Sequence, residues 1–277
     1  MNSKTQAANR DAKEQAYIYD LYVVPTWREV FDKLVDEEIE LPKEGRFLEV
    51  ECGTGGYAID LAVRGGGKVK VVGVDSSEER LALARGKAEV QHVSRATFQQ
   101  APPEDLDFTV GEFDLAIGDF SLLPPDRIES ALEELIRVTK KGATVAVKLA
   151  THGSFGEVFS LYWEALYELN LIEYSPQLEG LMSGWLTAGK VEELALDSGL
   201  RSVRSVTHKE RMDFADGQTF LSSPLIETIF LDDWLAFLPD EKTRLDARQQ
   251  LVAIIDRERQ NADFDVSIKA TILIGQK

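Results

Sequence analysis

Gly53, Gly55 and Gly56 follow the short apolar run Phe47–Val50, and Asp75 closes a second run, Val69–Val74. Glycines at a strand-to-helix turn let the backbone bend sharply and keep side chains from holding a ligand off the chain. The helix that follows presents unpaired N–H groups to an anionic group such as a carboxylate or phosphate. Asp75 lies about twenty residues beyond the glycines, where a carboxylate accepts hydrogen bonds from both hydroxyls of a ribose. Together the two places imply a cofactor bearing a nucleoside, laid across strand ends. Glu49, at the end of the first run, suits a cationic ammonium better than a pyrophosphate. Gly53-Thr54-Gly55-Gly56-Tyr57-Ala58 also fits a GxGxxA dinucleotide pattern, so a nicotinamide cofactor stays open on these residues alone.

Other residues carry weaker signals. Asp75 could equally cap a helix, and Gly53 and Gly55 could be plain turn glycines. Cys52 is the single cysteine and reads as a small buried filler in the loop; one thiol allows neither an intrachain disulfide nor a Cys-rich zinc site. No metal-ligand constellation is seen. His152 follows the fifth strand, on the side where doubly wound sheets bind ligands, and its ordinary pKa near ~6.5 would let it take a proton from a substrate hydroxyl or amine. The competing reading is an exposed loop histidine, and His92 and His208 read as surface residues. Aromatics in Phe155–Tyr167, with Trp185, Phe220 and Trp234, fit a helical core stripe as well as a substrate pocket.

The elements that must position these residues alternate from Arg46 onward. Strands are expected at Phe47–Val50, Val69–Val74, Ala96–Gln99, Phe113–Ile117 and Ala143–Leu149. Helices are expected at Gly56–Val63, Glu78–Glu89 and Ile128–Thr139, the last closed by Lys140, Lys141 and Gly142. This rhythm predicts βαβ units and a parallel sheet covered on both faces. A helical cap over 17–45, interrupted near Pro25, precedes it, behind a flexible tail over 1–16. After a cofactor-binding core over 46–150, the rhythm changes. Helices are expected at Phe155–Leu169 and Lys190–Ser198, and strands at Val203–Phe214 and Asp265–Ile274. Between those strands, helices around Phe220–Leu238 and Glu241–Arg257 form a lid insertion at about 215–260. No linker marks a second domain, so 17–277 reads as one.

Acids outnumber bases 48 to 31, for a net charge of −17 over 277 residues. That balance disfavours nucleic acid, whose phosphates demand clustered Lys and Arg, and disfavours anionic membrane surfaces too. No apolar run approaches the ~20 residues of a membrane-spanning helix, and the polar N-terminus has no secretion signal. Small molecules are the expected partners and the cytoplasm the expected location. Oligomeric state is not legible.

Leu48-Glu49-Val50-Glu51-Cys52-Gly53-Thr54-Gly55 resembles the LDLGCGTG signature of class I S-adenosylmethionine-dependent methyltransferases. Val74-Asp75-Ser76-Ser77 is similar to their second-strand acidic motif, and Glu104-Asp105-Leu106 before Phe113-Asp114-Leu115-Ala116-Ile117 to their adenine-side loop and fourth strand. Leu135–Ala143 resembles the RVLKPGG segment before strand five, and Gly189–Gly199 the helix before strand six. The resemblance implies a Rossmann-like α/β fold of seven strands, mostly parallel with an antiparallel last strand, in a small-molecule methyltransferase with an N-terminal helical cap. It implies S-adenosylmethionine as cofactor, held by Glu49, Glu51, Gly53, Gly55, Asp75, Ser76, Pro103, Glu104, Asp119 and Phe120, with Tyr22 or Tyr19 of the cap closing over it. Asp119 and Phe120 fall beside the donor methyl, and Asp119 and His152 are the catalytic candidates. Two positions depart from the pattern: Glu51 stands where the first loop glycine is usual, and Pro102 where an Asp often reads the adenine amino group. The carboxylate of Glu51 would either repel the cofactor's own carboxylate or pair with its ammonium or sulfonium. The expected activity is methyl transfer to oxygen, nitrogen or carbon of a small acceptor. A fold of this type that binds without transferring, motivated by Glu51, is the alternative, and a nicotinamide-dependent oxidoreductase the third.

Overall fold

The computed structural model describes residues 12–259 and 262–277. Seven strands form one sheet: β1 (Gly45–Val50), β2 (Val69–Asp75), β3 (Ala96–Gln100), β4 (Phe113–Asp119), β5 (Thr139–Ala150), β6 (Arg201–Phe214) and β7 (Phe264–Gln276). Their order is β3-β2-β1-β4-β5-β7-β6. The first five run parallel. β7 runs against β5, since Gly142 N–H donates to Lys277 O and Lys277 N–H to Ala143 O. It also runs against β6, where the Thr207 and Thr271 hydroxyls meet at 2.8 Å. This is the Rossmann-like seven-stranded arrangement with an antiparallel last strand that the sequence led us to expect.

The helices before and between the strands begin with α1 (residues 12–18), which continues through a π-wound stretch, Tyr19–Arg28, into α2 (Glu29–Glu38). Pro25 does not interrupt this helix as expected. Lacking an N–H, it cannot make the i→i−4 bond of an α-helix, and the chain winds wider instead, so that Glu29 N–H reaches back to Val24 O. Of the tail expected over 1–16, residues 1–11 lie outside the described residues, while 12–16 are helical and Ala16 is buried. α3 (Gly56–Arg64), α4 (Glu78–Val90) and α5 (Ile128–Val138) link the parallel strands. α5 passes directly into β5, so Thr139 is a strand residue rather than the end of the helix, and Lys140–Gly142, expected to close the helix, are strand residues too.

By packing, the chain divides into two compact units: 1–149, 188–207 and 271–277 form one, and 150–187 with 208–270 the other. The first holds β1 to β4, nearly all of β5, and α8 (Ala188–Asp197). The second holds α6 (Gly156–Glu168), α7 (Ser175–Gly184), α9 (Gly217–Leu221), α10 (Leu231–Leu235) and α11 (Glu241–Glu258). Phe155, Phe159, Phe220 and Trp234 are buried there and pack edge to face or stacked, as a core stripe does.

Strand order places a switch point between β1 and β4, from which connections leave in opposite directions, and ligands enter such crevices at the carboxyl ends of the strands. Register then decides what lines it. Glu49 lies beside Gly73 on β2 and Ile117 on β4, and Asp119 beside Lys148 on β5. Alternation along each strand therefore puts Glu49, Asp75, Asp119 and Lys148 on one face of the sheet.

Gly55 is required by packing. It sits at φ +75°, and a Cβ there would lie 2.6 Å from Ala84 Cβ and from the Phe98 ring. Gly56, next along, has open space around that position. Gly55→Ala is expected to cost ~2–4 kcal/mol, from overpacking and the left-handed backbone together. Gly56→Ala should stay within ~0.5 kcal/mol of the wild type, as surface changes usually do. Urea midpoints compare them, and equal midpoints would refute this account of the loop.

Candidate active site

The glycine turn and the acid of the second strand are one structure. Gly53 N–H donates to Asp75 Oδ2 at 2.8 Å, and Ser77 N–H to Asp75 Oδ1 at 2.8 Å. Ser77 itself caps α4, its hydroxyl accepting from Arg80 N–H at 3.2 Å, so the capping role open to Asp75 is taken by its neighbour. Arg80 approaches Asp75 Oδ2 at 3.5 Å. Glu51 sits at φ +56°, a backbone region that favours glycine, and accepts from Ser76 Oγ at 3.1 Å. Burial and the neighbouring Asp75 push its carboxyl up to about 7.

Beside this turn lies a buried ion cluster. Lys148, fully buried, is paired with Asp32 of α2 and stands 3.5 Å from both Glu49 and Asp119. Arg28 reaches the same two acids from the other side, 3.6 Å from Glu49 and 3.0 Å from Asp119, and donates to the Tyr19 hydroxyl at 2.9 Å. Three acids thus face two bases. The surplus negative charge shows in their proton affinities. Burial raises Glu49 to about 7 against the pull of Lys148 and Arg28. Asp119 is buried equally but closer to Arg28, and it accepts from the Ser121 hydroxyl at 2.6 Å, so its carboxyl is held below the ordinary range. Glu49 Oε2 and Asp119 Oδ2 have no hydrogen-bond partner. A cleft of about 310 Å³ opens at Glu49, lined also by Arg28, Asp32, Asp36, Thr54 and Tyr57.

A glycine turn, a strand-end carboxylate and acids with unsatisfied oxygens, at the switch point of this sheet, suit a nucleoside cofactor with a positively charged end. Residues 47–142 match the model of the family described as a methyltransferase domain. That stretch is similar to a methyltransferase domain. Among curated proteins, the chain is 31% identical over 149 residues to a ubiquinone/menaquinone biosynthesis C-methyltransferase of Citrifermentans bemidjiense, covering 53% of this chain and 61% of that one. It is 28% identical over 171 residues to a demethylmenaquinone methyltransferase of Lactococcus lactis, covering 58% and 68%. The chain therefore spans about three fifths of the first of these relatives. In fold it is similar to the YcgJ protein of Bacillus subtilis, with a TM-score of 0.59 at 16% identity over 90% of this chain and 98% of that one. It is also similar to phosphoethanolamine N-methyltransferase 2 of Haemonchus contortus, with a TM-score of 0.53 at 20% identity over 91% and 52%.

Within the matched stretch, the structure brings Glu49, Glu51, Gly53, Asp75, Ser76 and Asp119 to one end of the sheet. Gly55 lies in the same loop, with its open side taken by Ala84 and Phe98. Phe120 is buried against Gly118 rather than open to a ligand. Pro103 is buried and Pro102 exposed; Glu104 is engaged by the Arg127 guanidinium, Nη2 at 2.8 Å, which lowers its carboxyl. Of the two cap tyrosines, Tyr19 rests on Gly53, while Tyr22 is 48% exposed. His152 belongs to the second unit, where it is exposed and its backbone N–H donates to Leu186 O at 2.9 Å. His92 is exposed and His208 half-buried. Cys52 is buried, with its thiol pushed up by burial, as a filler should be.

Sequence reading missed Arg28, Asp32 and Lys148. A lysine inside the apolar run Val145–Leu149 was the available signal, because lysine is almost never buried without a partner.

The raised carboxyl of Glu49 makes a stability prediction. From its ordinary 4.5 to about 7, the folded chain holds a proton there that the unfolded chain has released. Stability should therefore fall as pH rises through that window and level off above it. Glu49→Gln leaves two acids facing two bases and should make the decline shallower, by of order 1 kcal/mol or more between pH 5 and 8. Urea unfolding across that range checks this; parallel profiles for the two proteins would refute it.

Proposed function

We propose that the chain transfers the methyl group of S-adenosylmethionine to a small organic acceptor. What supports this most is the single turn in which Gly53 N–H and the Asp75 carboxylate meet at 2.8 Å, on the sheet face that also carries Glu49 and Asp119. In this reading Asp75 holds the ribose hydroxyls, with Ser76 and Glu51 beside them, and the Gly53 turn lies along the methionine arm. Glu49, whose Oε2 lacks a hydrogen bond, and Asp119, ion-paired to Arg28 and Lys148, hold its positive charge. When bound, the cofactor supplies a methyl group already activated on a sulfonium. What remains for the protein is to bind, align and exclude water.

The acceptor we propose is a carbon of a quinol or a similar phenol; similar proteins are a ubiquinone/menaquinone biosynthesis C-methyltransferase and a demethylmenaquinone methyltransferase. We place the activity in the cytoplasm; no described helix is long and apolar enough to cross a membrane. Asp119 is held as a carboxylate by Arg28 and Lys148 and serves charge, not proton transfer. Glu49, near neutrality, is better placed for proton exchange inside the domain. The alternative, a fold of this type that binds without transferring, is motivated by Glu51, whose carboxyl stands in the glycine turn on a left-handed backbone.

Calorimetry with S-adenosylmethionine and S-adenosylhomocysteine tests the cofactor. Asp75→Asn keeps an oxygen for Gly53 but removes the charge, and should lose about tenfold in affinity, as expected for a hydrogen bond to a charged group. Transfer of a labelled methyl group to a panel of quinols and phenols tests the acceptor. Binding without transfer to any acceptor would favour the non-catalytic reading, and no binding would sink the cofactor assignment.

A further inference from the structure

The donor site proposed above is filled by the protein's own first helix. The ring of Tyr19 covers Gly53 so closely that a Cβ on that glycine would lie 2.9 Å from Tyr19 Cε1 and 3.2 Å from its hydroxyl. The Arg80 guanidinium covers this ring at 4.7 Å and reaches Asp75 at 3.5 Å. An aromatic ring therefore lies between the glycine turn and the groups beside the ribose-binding carboxylate, and Asp75 is 0% exposed. Nine residues on, the Arg28 guanidinium lies between Glu49 and Asp119 and donates to the Tyr19 hydroxyl. A planar ring and a cation on one short segment thus reproduce the two features of the donor, its nucleoside and its positive end.

The imitation is incomplete. Arg28 Nη2, Glu49 Oε2 and Asp119 Oδ2 all lack a well-directed hydrogen bond, although all are buried. Groups left so carry a desolvation cost that a better-fitting ligand would relieve. Local winding points the same way. Tyr19–Arg28 is a π-helix around Pro25, a form rare in proteins and frequent at functional sites. α2, directly after it, is fastened independently, by Lys148 to Asp32, by the Tyr57 hydroxyl to Asp36 at 2.8 Å, and by Arg204 to Glu38 at 2.7 Å. The wide turn can leave while α2 stays. What it loses is real, since Trp27 is fully buried with its indole N–H on Ser121 Oγ at 3.0 Å, and Asp20 is paired with Lys87.

We propose that the Tyr19–Arg28 turn is an autoinhibitory plug, its tyrosine ring and arginine cation standing in the donor site, so that S-adenosylmethionine binds only after the turn is displaced. This rests on the donor-binding reading. A ligand that binds only the open form has its affinity reduced by the fraction of molecules that are open. Removing the plug therefore tightens binding, where removing a true ligand contact weakens it.

Calorimetry on the full chain, wild type against Tyr19→Ala and Arg28→Gln, distinguishes these. Each variant should bind S-adenosylhomocysteine at least tenfold more tightly than the wild type. Arg28→Gln should gain more for S-adenosylmethionine, whose sulfonium then shares Glu49 and Asp119 with Lys148 alone. Should Arg28→Gln fail to fold, Tyr19→Ala and a measurement on the wild type still decide. In that measurement, amide hydrogen exchange over 19–28 should quicken at least tenfold when S-adenosylhomocysteine is added, and that over 29–38 should not change. Variants that bind less tightly or equally, or a segment that slows or does not respond, would overturn the plug while leaving the donor assignment standing. Absence of binding to wild type and variants alike would remove the donor assignment, and the plug with it.

Discussion

Three carboxylates cannot be taken from water onto one sheet face unless cations go with them, and this constraint organises the first unit. An isolated ion in a protein interior costs several kcal/mol even after relaxation, and removing one partner of a buried pair costs about 3–5 kcal/mol. Lys148 and Arg28 meet that demand for Asp32, Glu49 and Asp119, with one acid left in surplus. The N-terminal helix is held by these pairs together with its buried Val23, Trp27, Phe31 and Val35, and the surplus acid lies at Glu49 on the cleft. Fold and ligand preference thus come from one set of charges.

The charges meet because of strand order and register rather than closeness in sequence. Glu49 and Lys148 are ninety-nine residues apart. They approach because β4 pairs with both β1 and β5, and because Asp119, one alternation step beyond Ile117, shares a face with both. A shift of one residue in either pairing would turn one of these side chains to the opposite face. Glycine is as strongly constrained. Gly73 and Gly118 lie where a Cβ would strike Phe98 and Phe120, so the strands beside the site must be bare for the flanking rings to pack.

Much of this was legible in advance. The Gly53 turn and Asp75 could be joined from spacing alone, because a short strand, a glycine bend and a second strand leave the chain few ways to place that acid. All seven strands were found, since apolar runs alternating with helices encode a parallel sheet directly. What escaped were partnerships across long separations. Arg28 and Asp32 look like an ordinary solvated i,i+4 pair on a charged helix until the sheet supplies Lys148, Glu49 and Asp119. Pro25 looked like a break because proline usually is one; that a π turn can absorb it depends on Val23 and Trp27 being buried on either side. Gly55 was read as a cofactor glycine and proves to be needed by Ala84 and Phe98. Such a role is invisible without knowing which helix lies opposite.

Glu51 shows how the site's chemistry follows from its surroundings. A glycine in its place would carry no charge and no strain. As it stands, the chain bears an acid in a left-handed backbone conformation, hydrogen-bonded to Ser76 and next to a fully buried Asp75. Burial, and then the neighbouring Asp75, raise the Glu51 carboxyl to about 7. Near neutrality Glu51 therefore sits between two states. Protonated, it can donate to a ligand carboxylate; ionised, it repels one and attracts an ammonium. The departure from glycine thus places a group that titrates near neutrality in the glycine turn, next to the buried carboxylate of Asp75.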